Sequence, residues 1–161
     1  MSNEYSVVVE RNRLKFAAAH MATYGGALEP LHGHNYALHL EVRGSLAANS
    51  WVIDFGVLKR IGRDLCDRLD HRFLLQSASP IISIAETAGE YVVGFDDRRY
   101  VFPVSNVAAL DIDNTTAERL AEWMSCQVWR ELRASGADNI AELLVVVEEA
   151  PGQSGSCRTF A

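Results

Sequence analysis

Cysteine is scarce in this chain of 161 residues, which has only Cys66, Cys126 and Cys157. The three are widely separated, and no Cys-x-x-Cys spacing brings two of them together. An odd count without such spacing is typical of free thiols in a reducing compartment. We therefore expect a cytoplasmic protein.

Long apolar runs and an excess of positive charge are also missing. No charged-then-apolar leader follows Met1 and no run could span a bilayer, so we expect no membrane partner. The formal net charge is −6, which disfavours a nucleic-acid partner because such proteins present a basic face. A small anionic substrate remains compatible with this charge, since a few local cations suffice.

Several catalytic signatures are absent. The chain has no Walker A loop and no dinucleotide fingerprint. The segment "GQSGS" differs from the Gly-x-Ser-x-Gly nucleophile elbow at its last residue, so a serine hydrolase is not supported.

What is present is the composition of an ordinary globular domain, with 48% hydrophobic and 22% charged residues. The length suits a single domain covering 1–161. Alternating apolar residues from Tyr5 to Ala19 predict a long strand, broken near Asn12. A second strand is predicted from His34 to Gly44, with the even positions buried.

Further along the chain, apolar residues recur at the spacing of an amphipathic helix instead of alternating as in a strand. Asp54 is a good N-cap for a first amphipathic helix. Thr115 and Glu118 form a capping-box pattern that starts a second helix and accounts for Glu118 structurally, and Gly136 is a natural stop.

Between the helices, "EYVVGFDDRRYVFP" predicts a hairpin around Asp96-Asp97, and "IAELLVVVEEAPG" predicts a final strand. The order of elements predicts an α+β fold, with a mostly antiparallel four-stranded sheet and two helices on one face. Such a sheet has two open edges, which pairing between copies would remove, so oligomerisation is plausible.

Two of the five histidines stand together in "EPLHGHNYALHLEVRG". His32 and His34 share strand parity, and His20 ends the preceding strand, where an antiparallel neighbour would bring it beside them. Three imidazoles suit a catalytic zinc site, which keeps an open position. The spacing alone leaves open that the rings only hydrogen-bond. His39 falls on the opposite face and is interpreted as a surface or interface residue.

Two further groups could carry chemistry. Asp70 beside His71 suits proton transfer, although a histidine at a helix C-terminus is also explained by the helix dipole. Glu148 and Glu149 face opposite ways, so one of them points inward. That carboxylate either binds a donor-rich ligand or ends a solvated strand.

The segments "FAAAH", "LHGHNY", "VIDFGVLK", "LDHRFL", "NTTAE" and "VEEAP" occur in the order found in the 6-pyruvoyl-tetrahydropterin synthase and 6-carboxytetrahydropterin synthase family, which the chain resembles over nearly its whole length. The resemblance implies the tunnelling fold, with trimers or hexamers that have active sites at subunit interfaces, and 7,8-dihydroneopterin triphosphate as the pterin substrate.

By position, the resemblance also implies roles for individual residues. Asp70 and His71 correspond to a proton-relay pair. Glu149 corresponds to the pterin anchor, with Glu148 as the alternative if the register slips by one. The implied zinc ligands are His20, His32 and His34, where the metal acts as a Lewis acid on the substrate hydroxyls.

The chain departs from the family's usual members at the catalytic cysteine, whose position is held by Leu28. Glu29 follows, giving Glu-x-x-His-Gly-His, as in a subgroup that cleaves the side chain to 6-hydroxymethyl-7,8-dihydropterin. A carboxylate in a partly desolvated pocket can serve as the general base for this retro-aldol cleavage. The alternatives are 6-carboxytetrahydropterin or 6-pyruvoyl-tetrahydropterin formation with another base, and a pterin-binding homologue with a changed substrate or no turnover.

The second departure is length: the segment 81–110 is longer than usual family members have. It could shape the substrate mouth or add an assembly contact. The triphosphate would need cations, and the sequence offers weak candidates in two places: Arg98 and Arg99, or Arg11, Arg13 and Lys15.

Overall fold

The computed structural model describes residues 3–10 and 13–161. The strands are β1 (Tyr5–Val9), β2 (Lys15–His20), β3 (Thr23–Tyr24), β4 (Ala27–Leu28), β5 (His32–Gly44), β6 (Arg72–Gln76), β7 (Ser83–Thr87), β8 (Glu90–Phe95), β9 (Arg98–Pro103), β10 (Val107–Leu110), β11 (Ile140–Ala150) and β12 (Gln153–Phe160). The helices are α1 (Phe55–Leu69) and α2 (Ala117–Ala134), with a 3₁₀ turn at Val104–Asn106.

The central sheet has the strand order β10-β6-β2-β5-β11-β12, and β1 also pairs with β5. The sheet is mixed, because β6 runs parallel to both β2 and β10. The α+β class is therefore confirmed, whereas the prediction of a four-stranded antiparallel sheet is wrong. The extra strands were missed for local reasons: β6 and β10 are short, and β12 is rich in polar residues.

The predicted long N-terminal strand is two strands that lie one after the other along β5. Val9 is opposite Leu40, and Lys15 is opposite Ala37. Only Leu38 and His39 separate these two partner positions, so β1 and β2 pair with consecutive parts of one strand. Asn12, the predicted break, and Arg11, a predicted cation, lie outside the described residues.

Both helices pack on the same face of the central sheet, α1 over β2 and β5 and α2 over β11 and β12. Leu38, Leu40 and Val42 are fully buried there, in one apolar cluster with residues of α1 and α2. Gly62 marks the closest approach of α1: a Cβ at this residue would lie 2.8 Å from Leu14 Cδ2. Phe55, the first residue of α1, is 55% exposed, so the apolar stripe begins at Leu58.

The start of α1 is as predicted, and the start of α2 is not. Asp54 Oδ1 accepts from the N–H groups of Gly56 and Val57, at 2.7 and 3.2 Å. In α2 the N-cap is Thr116. Glu118 is then only two residues past the cap, so the predicted capping box of Thr115 and Glu118 is wrong. The hydroxyl of Thr115 is buried and bonds elsewhere.

The segment 81–110 contains more than the predicted hairpin. It forms a separate three-stranded antiparallel sheet, β7-β8-β9, and then supplies β10 to the central sheet. A second apolar cluster joins it to the central sheet. Within this cluster the ring of Phe102 stacks on that of Phe73, with 4.3 Å between centroids.

Neither α1 nor α2 is both long enough and apolar enough to cross a membrane, and the described residues contain no other α-helix.

Candidate active site

The three predicted metal ligands lie together at one end of the central sheet. His20 is directly opposite His32 in the β2–β5 register, and His34 follows on the same face. One nitrogen from each ring lies within 4.8 Å of the other two, and the Nε2 atoms of His20 and His32 are 3.2 Å apart. Tetrahedral zinc ligands at 2.0–2.1 Å would be roughly 3.3 Å apart, so this donor set fits zinc.

Hydrogen bonds at Nδ1 orient two of these rings. His32 Nδ1 lies 2.8 Å from the carbonyl oxygen of Pro30. His20 Nδ1 lies 3.1 Å from the carbonyl oxygen of Thr115 and 3.2 Å from its Oγ1. With the proton on Nδ1, the lone pair of Nε2 is free for a metal.

A buried relay continues behind His20. Thr115 Oγ1 donates to Gln76 Oε1 at 3.0 Å, and all three side chains are buried. Burial, followed by the neighbouring His32 ring, lowers the pKa of His20 to about 4. The imidazole is therefore neutral at physiological pH, which is the state that binds a metal.

The histidines open into a cavity of about 590 Å³, which three carboxylates also line: Glu29, Glu118 and Glu149. Glu149 Oε1 is buried and makes no hydrogen bond of good geometry with the described residues, although the equally unpaired hydroxyl of Tyr36 lies close to this carboxylate. Burial raises the pKa of Glu149, the nearby histidines oppose this shift, and the other two carboxylates add to it. An unpartnered carboxylate oxygen at this depth is suited to a ligand that brings N–H donors.

Tyr36, the last residue of "HGHNY", contacts two of the histidine rings. Its side chain is fully buried, and its ring stands edge-on to those of His20 and His34. Burial, followed by the Glu149 carboxylate, raises the pKa of the Tyr36 phenol. Tyr36 therefore stays neutral beside Glu149.

Glu148 is on the other face of the sheet. Its Oε2 lies 3.8 Å from Nε2 of His39, whose Nδ1 lies 3.2 Å from Oε2 of Glu10. Of the two adjacent glutamates, the structure thus places Glu149 in the three-histidine cavity and Glu148 beside His39.

Asp70 and His71 form a pair outside this cavity. Asp70 Oδ2 lies 2.8 Å from His71 Nδ1, and Asp70 Oδ1 accepts the N–H of Ala17 at 2.7 Å. The bond from Ala17 and the contact with His71 lower the pKa of Asp70. His71 has a φ of +57° and an 84% exposed side chain.

The backbone at this pair is bonded to β2, because the N–H of His71 also donates to the carbonyl oxygen of Ala17 at 2.6 Å. A left-handed conformation at a non-glycine residue costs energy and is common at functional sites. His71 lines a second cavity of about 490 Å³ with Asn35 and Phe102, and of the three candidate metal ligands only His34 borders both cavities.

Sequence reasoning missed three residues of the site. Thr115 and Gln76 form the relay behind His20, and Glu118 lines the cavity instead of capping α2. Thr115 and Glu118 belong to the motif "NTTAE", which the sequence explains as a helix cap, and Gln76 has no signal in the sequence. The sequence does not show that Thr115 bonds His20, because the two residues are 95 positions apart and meet only in the folded chain.

These features define an α+β protein with a three-histidine cluster in a carboxylate-lined cavity. The chain belongs to the 6-pyruvoyl tetrahydropterin synthase family, whose model matches residues 10–159. This is a family of enzymes of pterin metabolism. A putative 6-carboxy-5,6,7,8-tetrahydropterin synthase of Methanocaldococcus jannaschii is 30% identical over 148 residues, covering 91% of each chain.

Solved structures agree with this assignment. The 6-pyruvoyltetrahydropterin synthase of Plasmodium vivax superposes with a TM-score of 0.92 at 28% identity, covering 99% of this chain and all of the other. The Plasmodium falciparum protein has the same TM-score at 29% identity and covers 99% of this chain and all of its own. For the P. vivax protein, a variant with alanine in place of a glutamate is described as a catalytic-residue mutant.

Proposed function

We propose that this protein is a zinc-dependent pterin lyase that cleaves the side chain of 7,8-dihydroneopterin triphosphate to give 6-hydroxymethyl-7,8-dihydropterin. The observation that carries the proposal is the placement of Glu29 in one cavity with the three-histidine cluster and Glu149. That cavity offers a metal site, a base and a docking carboxylate side by side.

His20, His32 and His34 hold the metal in this proposal. The ion supplies Lewis-acid polarisation of the substrate's side-chain hydroxyls. Each of the three histidines contributes one ring nitrogen, Nε2 or Nδ1, whose lone pair can bind the ion with little movement of the ring. The neutral state of His20 and the hydrogen bonds at Nδ1 of His20 and His32 support this assignment.

Glu29 is the general base. Its carboxylate takes the proton of the second side-chain hydroxyl, and the bond between the first and second side-chain carbons breaks. The second carbon leaves as an aldehyde. The electron pair stays on the first carbon, stabilised by the ring imine, until that carbon takes up a proton. A glutamate is named as a catalytic residue of the P. vivax protein, which supports a carboxylate in this role.

Glu149 anchors the pterin. Its unpartnered Oε1 accepts a hydrogen bond from the pterin amino group or the adjacent ring N–H,. Glu118, on the same cavity wall, is the other carboxylate available to the donors of the ring.

Asp70 and His71 act on a site of a neighbouring copy in this proposal. Within one chain neither residue lines the three-histidine cavity, yet His71 is exposed and its backbone is bonded to β2. The strands β10 and β12 end the central sheet and can pair with other copies. A trimer or hexamer with active sites between subunits would satisfy both observations.

The decisive experiment is a product assay by mass spectrometry, with zinc-loaded protein and 7,8-dihydroneopterin triphosphate. We expect 6-hydroxymethyl-7,8-dihydropterin. A carboxy or pyruvoyl product would assign the chain to the synthase reactions of its relatives. Intact bound substrate would indicate a binding homologue or a different substrate.

A Glu29→Gln variant tests the base. We expect turnover to fall by about a hundredfold or more, with zinc content by elemental analysis unchanged. Normal turnover in this variant would remove Glu29 from the mechanism, whatever the product.

A further inference from the structure

The residue before Glu29 belongs to a short hairpin, in which Thr23 of β3 pairs with Leu28 of β4. Gly25 and Gly26 join the two strands with φ angles of +59° and +80°, as a two-residue turn requires. Glu29 N–H then donates to the carbonyl oxygen of Ala22 at 2.9 Å. The backbone therefore has a hydrogen-bonded conformation up to Glu29, the proposed base.

The side chain of Leu28 is only 4% exposed and packs in the second apolar cluster. That cluster includes Val93, a fully buried residue of β8, and Phe102 of β9. Successive side chains of an extended chain point in opposite directions. Burying Leu28 against the segment 81–110 therefore turns Glu29 the other way, toward the cavity that it lines.

Arg98, the first residue of β9, bonds the same peptide unit. Its Nη2 donates to the carbonyl oxygen of Leu28 at 2.9 Å, and its guanidinium lies 5.0 Å from the ring centroid of Phe95. The Leu28–Glu29 peptide is thus bonded at both polar groups, by Arg98 at its C=O and by Ala22 at its N–H. Because a peptide unit is planar, these two bonds fix its orientation.

We propose that Arg98 is a positioning residue for Glu29, and that the segment 81–110 aims the Glu29 carboxylate into the three-histidine cavity. The inference rests on the proposed function, in which Glu29 is the base. A base displaced by about one ångström can lose a hundredfold in rate. Fixing the preceding peptide therefore bears directly on turnover.

Arg98 is also a candidate cation for the substrate triphosphate. The Leu28 carbonyl occupies one of the five N–H donors of the guanidinium. The two roles differ in kinetics. A phosphate contact made equally in the ground and transition states changes KM, whereas misplacing a base changes kcat.

The test compares Arg98→Ala, Arg98→Lys and the control Arg130→Ala, a change at an exposed arginine of α2. For Arg98→Ala we expect kcat to fall about tenfold to a hundredfold, with KM within about twofold. Arg98→Lys should also lose kcat, because an ammonium lacks the planar donor fork. Arg130→Ala should match the wild type. A KM rise at constant kcat, reversed by lysine, would overturn the inference, and so would unchanged kinetics.

Amide hydrogen exchange separates this inference from the proposed function. In Arg98→Ala the amide of Glu29 should exchange faster, while the melting temperature of that variant stays near wild type. In Arg130→Ala the amide of Glu29 should exchange as in the wild type. Unchanged exchange at Glu29 would overturn the positioning role. Faster exchange, combined with full activity of Glu29→Gln, would retain Arg98 as the residue that orders Glu29 and would reject Glu29 as the base.

Discussion

Glu148 and Glu149 are adjacent in the chain but serve opposite faces of the central sheet: Glu148 lies beside His39, and Glu149 lines the three-histidine cavity. This gives a matched pair of substitutions. Glu149→Gln should weaken neopterin binding about tenfold to a hundredfold, because a hydrogen bond to a charged acceptor is lost. Glu148→Gln should bind neopterin normally in the same fluorescence titration. Equal losses in both variants would contradict the assignment.

Histidines on the two faces of β5 make a second matched pair. His34→Ala removes one of three metal ligands, so bound zinc should fall at least about tenfold by elemental analysis. His39→Ala removes an imidazole from the opposite face and should retain its zinc. Retained zinc in His34→Ala would exclude this cluster as the metal site.

Thr115 tests the buried relay behind His20. Thr115→Val keeps the shape of the side chain but removes the hydroxyl next to His20 Nδ1, so the zinc dissociation constant should rise about tenfold. The backbone carbonyl of Thr115 still faces the ring, which limits the loss. Thr115→Ser keeps the hydroxyl and should bind zinc normally in a chelator competition. Equal affinities for valine and serine would show that the hydroxyl does not orient His20.

Asp70 should make stability depend on pH. Its pKa is lowered in the folded state by the Ala17 N–H and by His71, so the ionised form stabilises the fold. That contribution is complete above the unfolded pKa of about 3.9 and is lost as the pH falls through the lower folded value. Asp70→Asn should therefore destabilise the protein at pH 7, and the difference from wild type should shrink below about pH 4.

Partial exposure keeps the Asp70 effect below about 1 kcal/mol, which urea denaturation at several pH values can resolve. Asp67→Asn, an exposed change on the same helix, is the control and should show no such trend. A difference between Asp70→Asn and wild type that grows at low pH would reverse the sign and refute the prediction.

The sequence predicted those parts of the fold in which apolar residues recur at a regular spacing. Helix α1 with its Asp54 cap and the buried even positions of β5 are visible in the sequence, because one apolar face must meet the core. The strands β6, β10 and β12 were not predicted. They are short or polar, and their place is set by neighbours that the sequence does not show.

The same distinction applies to the site. Strand parity and an antiparallel neighbour suffice to bring His20 to His32. By contrast, Thr115 looks like a helix cap until its contact with His20 is seen, and Arg98 looks like a solvated turn residue until it is seen to bond the Leu28 carbonyl. The roles of Thr115 and Arg98 depend on contacts between segments that are distant in the sequence. The spacing of apolar residues does not reveal such contacts.

The burial of Leu28 bears on how such a chain could change its chemistry during evolution. The resemblance places the usual catalytic cysteine at this position, yet Leu28 is packed among apolar side chains. A single mutation of Leu28 to cysteine would bury the thiol in that cluster, away from the cavity. A thiol base at position 28 would therefore need this loop to turn that residue toward the cavity, and the packing of Leu28 in the second apolar cluster opposes such a turn.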